Sequence, residues 1–237
     1  MCGRYTSRLT WSEIKALYDL TSPWIESNLQ PRYNVAPTQV MPVVVLDPER
    51  RRVARMMRWG LIPSWAKDAK IGMSTINARA ESVREKPAFR AAFKQRRALI
   101  PAQGFFEWRP EGRAKQAYLL QPRDHGAISF AGLWESWRDG ETAVETFSII
   151  TTEANQSCAP IHHRMPVILD AADFPLWLGE QAAGDDGLHA LLRPAPEALL
   201  EILPVSARVG KVSNDDPDLL NPVEPAKPDP PAQAQLL

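Results

Sequence analysis

Hydrophobic positions recur with two different periods along this chain, and the change of period separates helical from extended stretches. Trp11, Ile14, Leu17 and Tyr18 repeat at the helical spacing. Thr10 followed by Glu13 is a capping-box signature, with Leu9 and Ile14 at the staple positions, so a helix is predicted from Trp11 to about Leu20. Pro31 to Pro42 holds three prolines and lacks that period, so Tyr33-Asn34-Val35-Ala36-Pro37 is expected as a rigid extended loop. Short apolar or alternating runs then predict strands at Met41 to Leu46 and Val53 to Met57, around the turn Asp47 to Arg50. Further strands are predicted at Ala98 to Ile100, Gly104 to Trp108, Ala117 to Leu120, Ile128 to Leu133, Phe147 to Thr151 and Pro166 to Leu169. Helices are expected around Ala88 to Lys94, from an Asp170 cap through Trp177, and at Pro196 to Leu203 with Glu197 in its first turn. Strands without regular βαβ alternation predict an α+β single domain, with a mixed, mainly antiparallel, barrel-like β core and flanking helices. The domain is expected to cover 1–222, and the Pro, Ala and Gln composition of 223–237 predicts a disordered tail.

A chain of 237 residues is long enough to bury a core without metals or disulfides. Only Cys2 and Cys158 occur, and no apolar leader or membrane-length run is present, which points to a cytoplasmic, reducing setting away from membranes. Net charge is zero, but residues 1–123 hold 22 Lys+Arg against 10 Asp+Glu, and residues 124–237 hold 6 against 18. Arg outnumbers Lys 16 to 6 in the basic half, and a planar guanidinium grips phosphate in a way an ammonium does not. A polyanionic partner is one reading; neutralisation of one half by the other across the fold is the other.

The chemistry begins at Cys2, directly behind Met1. If Met1 is removed, Cys2 offers an α-amine and a thiol on adjacent carbons, both titrating near neutrality. The amine can form an imine with an aldehyde, and the thiol can close a thiazolidine ring on it. Glu107, inside Gly104-Phe105-Phe106-Glu107-Trp108, is flanked by aromatics whose desolvation raises a carboxyl pKa toward the range of a general acid. His162 precedes an apolar strand beside Arg164, and no other His, Cys or carboxylate lies at ligand spacing, so a zinc site is rejected. Asn77 and Arg79, two apart on an extended segment, share a face. Of Trp65, Trp108, Trp134 and Trp137, Trp108 is favoured as a stacking surface for unpaired bases.

Taken in order, Met1-Cys2-Gly3-Arg4, Tyr33-Asn34-Val35-Ala36-Pro37, Ile76-Asn77-Ala78-Arg79-Ala80-Glu81, Gly104-Phe105-Phe106-Glu107-Trp108, Ile161-His162-His163-Arg164-Met165-Pro166 and Pro204-Val205-Ser206 resemble the SRAP family, the SOS response associated peptidases. The resemblance spans residue 2 to about 222. It implies a monomeric protein that binds single-stranded DNA in the damage response and crosslinks covalently to abasic sites, without cofactor, alongside abasic-site lyase and autopeptidase activity that exposes Cys2. It further implies Cys2 as nucleophile, Asn77 positioning its amine, Glu107 in acid–base steps and His162 in proton transfer. Arg4, Arg79 and Arg164 are then expected on phosphates, with Asn34, Pro37, Trp108 and Thr151 lining the DNA path. His163 departs from the family pattern, where an acidic residue is expected. The competing reading is an N-terminal-nucleophile thiol hydrolase or peptidase, because one class of glutamine amidotransferases also begins Met-Cys-Gly; against it, Arg4 stands where that class has an apolar residue, and its glutamine-site motifs are absent. A noncatalytic single-strand binding module is a third.

Overall fold

The computed structural model describes residues 2–21, 29–112 and 114–225. Its strands are β1 (Tyr5–Ser7), β2 (Arg32–Val35), β3 (Val40–Leu46), β4 (Arg52–Trp59), β5 (Asn77–Arg79), β6 (Arg97–Ala102), β7 (Gly104–Glu111), β8 (Ala114–Pro122), β9 (Ile128–Asp139), β10 (Thr142–Glu153), β11 (Arg164–Pro166), β12 (Ile168–Leu169) and β13 (Leu200–Val205). The helices are α1 (Trp11–Tyr18), α2 (Arg90–Gln95), α3 (Phe174–Leu178) and α4 (Asp185–Ala190).

Strands β3, β4, β6, β9 and β10 pair in a ring. β3 lies antiparallel to β4 and β6, β9 antiparallel to β6 and β10, and β10 closes the barrel by pairing parallel to β4 through Thr146↔Arg58 and Phe147↔Trp59. A second sheet runs in the order β13-β8-β7-β1-β2. The α+β fold with a mixed, mainly antiparallel barrel agrees with the sequence reading.

Successive residues of a strand face opposite sides, and β3 shows what that does here. Val43 and Val45 join Met57, Trp59, Ile100, Phe130 and Phe147 in one buried cluster, with Tyr5 and Phe105 of the second sheet. Val44 faces the other way, into the cluster formed with Ile14 and Tyr18 of α1, Phe93 of α2 and Trp177 of α3. Both faces of β3 are therefore covered, so its residues read as one continuous apolar run. Tyr5 makes edge-on contacts with Trp59 and Phe130 at centroid distances of 5.3 and 5.9 Å, fixing β1 and the residues before it against the barrel.

The Thr10–Glu13 capping box is present, and α1 ends at Tyr18, where Asp19 takes the left-handed conformation. Gly60, with φ +120°, backs onto Gly72, whose carbonyl oxygen would lie 2.7 Å from any Cβ placed there. That close approach folds the loop after β4 back on itself and delivers the chain to Asn77.

Three expectations are corrected. Arg32–Val35 is a strand, not a loop: it pairs antiparallel with β1, and the N–H groups of Tyr33 and Asn34 both donate to Asp215 Oδ1. Leu200–Val205 is β13, not a helix: it pairs along its whole length with β8, from Leu200↔Pro122 to Val205↔Ala117. Glu197 opens no helix there; its carboxylate accepts the Gln156 and Ser157 N–H groups and the Ser157 hydroxyl. Asp170 makes no side-chain cap, and a 3-10 turn over Ala171–Asp173 leads into α3 instead. Strand β1 and helix α4 were not anticipated. Of the expected tail, 226–237 lies outside the described residues. Among the described residues no helix is long and apolar enough to cross a membrane.

Candidate functional site

The register Tyr5↔Phe105 and Thr6↔Gly104 lays the start of the chain antiparallel along β7. Phe106 N–H donates to the Arg4 carbonyl at 3.0 Å, which carries the pairing one step past β1 and draws Gly3 and Cys2 alongside Glu107 and Trp108. Cys2 is fully buried, with its thiol 3.9 Å from the Arg4 carbonyl oxygen. Burial, reinforced by the charge of Glu107, pushes that thiol well above its ordinary pKa, so it is protonated at neutral pH.

Asn77 opens β5, which pairs parallel to β10 at Ile149. The preceding carbonyl, Ile76 O, accepts from both Ile149 N–H at 3.1 Å and the Trp59 indole at 2.9 Å, so Asn77 has little freedom of position. Its Nδ2 donates to the Cys2 carbonyl at 2.9 Å. Its Oδ1 is buried without a hydrogen-bond partner among the described residues, an open acceptor beside Cys2.

Glu107 lies on β7 opposite Tyr118 and is 3% exposed. Burial pushes its carboxyl up to about 7, so acid and base forms are both populated near neutrality. His162 ends a tight turn in which the Cys158 carbonyl accepts the N–H groups of Ile161 and His162. Its Nδ1 lies 3.0 Å from the Arg164 N–H and 3.3 Å from the Arg164 carbonyl oxygen, and the shorter contact, in which Nδ1 accepts, favours the neutral ring's proton on Nε2. The ring stacks on His163 at a centroid distance of 4.5 Å, and burial holds its pKa below the usual value.

The sequence reading gave Cys158 no part in the site. Its side chain shares the core cluster that holds Cys2, and burial, with Glu197 and Glu107 adding to it, pushes its thiol up to about 11. Composition offers no signal for that proximity.

The residues expected along DNA divide into two groups. Arg79 is exposed, Pro37 is half-buried in the turn after β2, and Trp108 is half-buried against the cluster around Phe106 and Leu119. Asn34, Thr151 and Arg164 are buried. Asn34 Nδ2 donates to the carbonyls of Val209, Lys211 and Asn214, and its Oδ1 accepts from Arg4 at 3.0 Å. Arg4 also donates to Val209 O at 2.8 Å and Gly210 O at 3.2 Å, so its guanidinium is held by neutral acceptors. Thr151 is covered by its neighbours β5 and β11, and the fork of Arg164 is closed on Glu81. Two large exposed side chains lie in the loop to β5: Trp65, a stacking candidate ranked behind Trp108, is 58% exposed, and Met73, which no motif marks, is 60% exposed. Exposed large apolar groups beside basic ones are the signal that finds them. Among the described residues, no three His, Cys, Asp or Glu side chains form a metal-holding group.

The abasic site processing protein YoaM of Bacillus subtilis (strain 168) is 39% identical over 223 residues, covering 93% of this chain and 98% of YoaM. The abasic site processing protein HMCES of Gallus gallus is 31% identical, covering 85% of this chain and 69% of that protein. A crystal structure of a Bacteroides thetaiotaomicron protein superposes with a TM-score of 0.84 at 30% identity, covering 94% of this chain and all of that one. The sequence model of the SOS response associated peptidase (SRAP) family matches residues 1–212. The chain belongs to the SRAP family.

Proposed function

We propose that this protein captures abasic sites in single-stranded DNA covalently through Cys2. The observation that carries the reading is the Asn77 amide at 2.9 Å from the Cys2 carbonyl, with its Oδ1 unpartnered among the described residues, beside a Glu107 carboxyl raised to about 7. Relatives named abasic site processing proteins support it.

Removal of whatever precedes Cys2 frees an α-amine, and Asn77 Oδ1 is the acceptor that orients it. Protonated Glu107 opens the abasic sugar ring to its aldehyde by protonating the ring oxygen. The amine attacks the carbonyl carbon, the carbonyl oxygen leaves as water, and an imine forms. Because the Cys2 thiol is held protonated, the amine acts first. The thiol then adds to the imine carbon and passes its proton to the nitrogen, closing a thiazolidine, with one water lost overall. His162, neutral with its proton on Nε2, is the second proton carrier. Arg79 contacts the strand's phosphates, and the exposed Trp65 and Met73 supply apolar surface for unstacked bases. In this reading Arg164 and Asn34 shape the site from below, without touching phosphate. Lyase activity follows from the imine, and autopeptidase activity from the need to expose Cys2.

The experiment is intact-mass measurement of the processed protein before and after incubation with an abasic oligonucleotide. A denaturation-resistant adduct at the summed mass minus one water is expected. No adduct, or an equal yield from Cys2→Ala, would falsify the proposal; peptide or glutamine hydrolysis dependent on Cys2 would favour a thiol hydrolase instead.

A further inference from the structure

His162 and Asn77 lie on separate segments, and one ion pair joins them, its arginine buried and its glutamate 49% exposed. Arg164 begins β11, two residues after His162, and its side chain is 8% exposed. That side chain passes β10, where Nη2 donates to Thr151 O at 2.6 Å, and closes on Glu81 with Nη1 to Oε1 at 2.7 Å and Nη2 to Oε2 at 3.0 Å. Glu81 sits in the 3-10 turn Ala80–Ser82, which follows β5 directly. The same Arg164 presents its backbone N–H to His162 Nδ1 at 3.0 Å. A two-bond carboxylate–guanidinium pair fixes orientation as well as distance.

We infer that Glu81 is a positioning residue for the covalent reaction: through Arg164 it holds the His162 ring with its proton on Nε2 and ties that ring's loop to the strand bearing Asn77. This rests on the capture reading above. The charged and titratable groups around the brace include Arg79 on β5, Glu81 and Arg164 themselves, Glu153 opposite Arg164 on β10, His189 against the Ala80 carbonyl, and His163 stacked on His162. The Arg164 side chain is buried, and half-exposed Glu81 is its charged partner. Without the carboxylate the guanidinium is left on the Thr151 carbonyl, and the start of β11, whose N–H meets His162 Nδ1, is held less firmly. The contact that selects the His162 tautomer weakens with it.

The test uses the processed full chain carrying Glu81→Gln, Arg164→Met or both, with single-turnover adduct formation on saturating abasic oligonucleotide and nitrogen-15 spectra of the imidazoles. Glu81→Gln is expected to slow adduct formation about tenfold or more, with no further slowing when added to Arg164→Met, because it acts through that residue. The spectrum of the unsubstituted protein is expected to show His162 Nδ1 unprotonated, with a mixture of tautomers in Glu81→Gln. Equal or faster reaction by Glu81→Gln, additive losses in the double variant, or an unsubstituted His162 protonated at Nδ1 would each overturn the inference. If a variant does not fold, the unsubstituted protein's spectrum and the rate of Glu81→Asp, expected between the parent and Glu81→Gln, decide it. Absence of any adduct from the parent defeats the capture reading, while the spectrum still reports on the brace.

Discussion

Asn77 donates from Nδ2 to the Cys2 carbonyl oxygen at 2.9 Å, across 75 positions of sequence. The contact joins an end of the barrel's strand system to the start of the chain, which β1 and β7 hold in place. The first residues of a chain are ordinarily among its least ordered; here Cys2 is fully buried. Asn77→Ala is predicted to leave the fold intact and slow adduct formation by about one to two orders of magnitude, the effect of losing one or two well-placed hydrogen bonds. Single-turnover rates at saturating DNA check this, and a rate within twofold of the parent would remove Asn77 from the mechanism.

Separating the two nucleophiles of Cys2 gives a sharper test. Cys2→Ser retains the amine and lacks the thiol, so it is expected to form an imine that borohydride traps, to nick abasic strands slowly, and to leave no stable adduct. Gel analysis with and without reductant distinguishes these products. If Cys2→Ser neither nicks nor is trapped, an imine is not on the path.

Glu107 ties stability to pH. Its carboxyl is raised from 4.5 to about 7 by burial, so the ionised form is disfavoured in the fold relative to the unfolded chain. The stability this group allows is therefore full below about pH 4.5 and is lost as pH rises through 7. Glu107→Gln has no such loss, so its stability relative to the parent should grow between pH 5 and 8 by on the order of 3 kcal/mol, while its adduct formation slows. Urea unfolding across that range reads the first effect. A stability difference independent of pH would show that Glu107 ionises normally.

The outer surface predicts a division of labour on DNA. Trp65→Ala should weaken binding to undamaged single strands by about 1–3 kcal/mol, the range for one stacked base. Arg79→Ala should lower the steepness of the salt dependence by about 0.7, one phosphate contact on a single strand. Asn34→Ala should leave that slope unchanged and lower the melting temperature instead, since its amide is spent on three carbonyls. Fluorescence anisotropy titrations at several salt concentrations separate the three.

Much of this architecture is legible in local pattern. The barrel strands announce themselves because alternating or doubly buried apolar runs have few other uses, and the capping box marks α1. Where the reading failed, two periods fitted the same residues: Leu200, Ile202 and Leu203 suit either a short helix or a strand, and only β8 decides. Prolines on either side of Arg32–Val35 disguised a strand whose N–H groups are satisfied by Asp215, about 180 positions away. The candidate site shows the same limit. Cys2, Asn77, Glu107 and His162 each stand out by residue type and motif, but nothing near Arg164 in sequence marks Glu81, 83 positions earlier, as its partner.

The carbonyls of Val209, Gly210, Lys211 and Asn214, with the carboxylate of Asp215, form a clasp over β2 and Arg4. A chain cut back to residue 212, where the family match stops, would keep every strand of the barrel and discard Asn214 and Asp215. Such a protein would still fold as a barrel, yet the Tyr33 and Asn34 N–H groups would lose their acceptor and Asn34 one of its anchors. The slack would reach Arg4 and, two residues before it, Cys2. Trimming one end of this molecule therefore loosens the other.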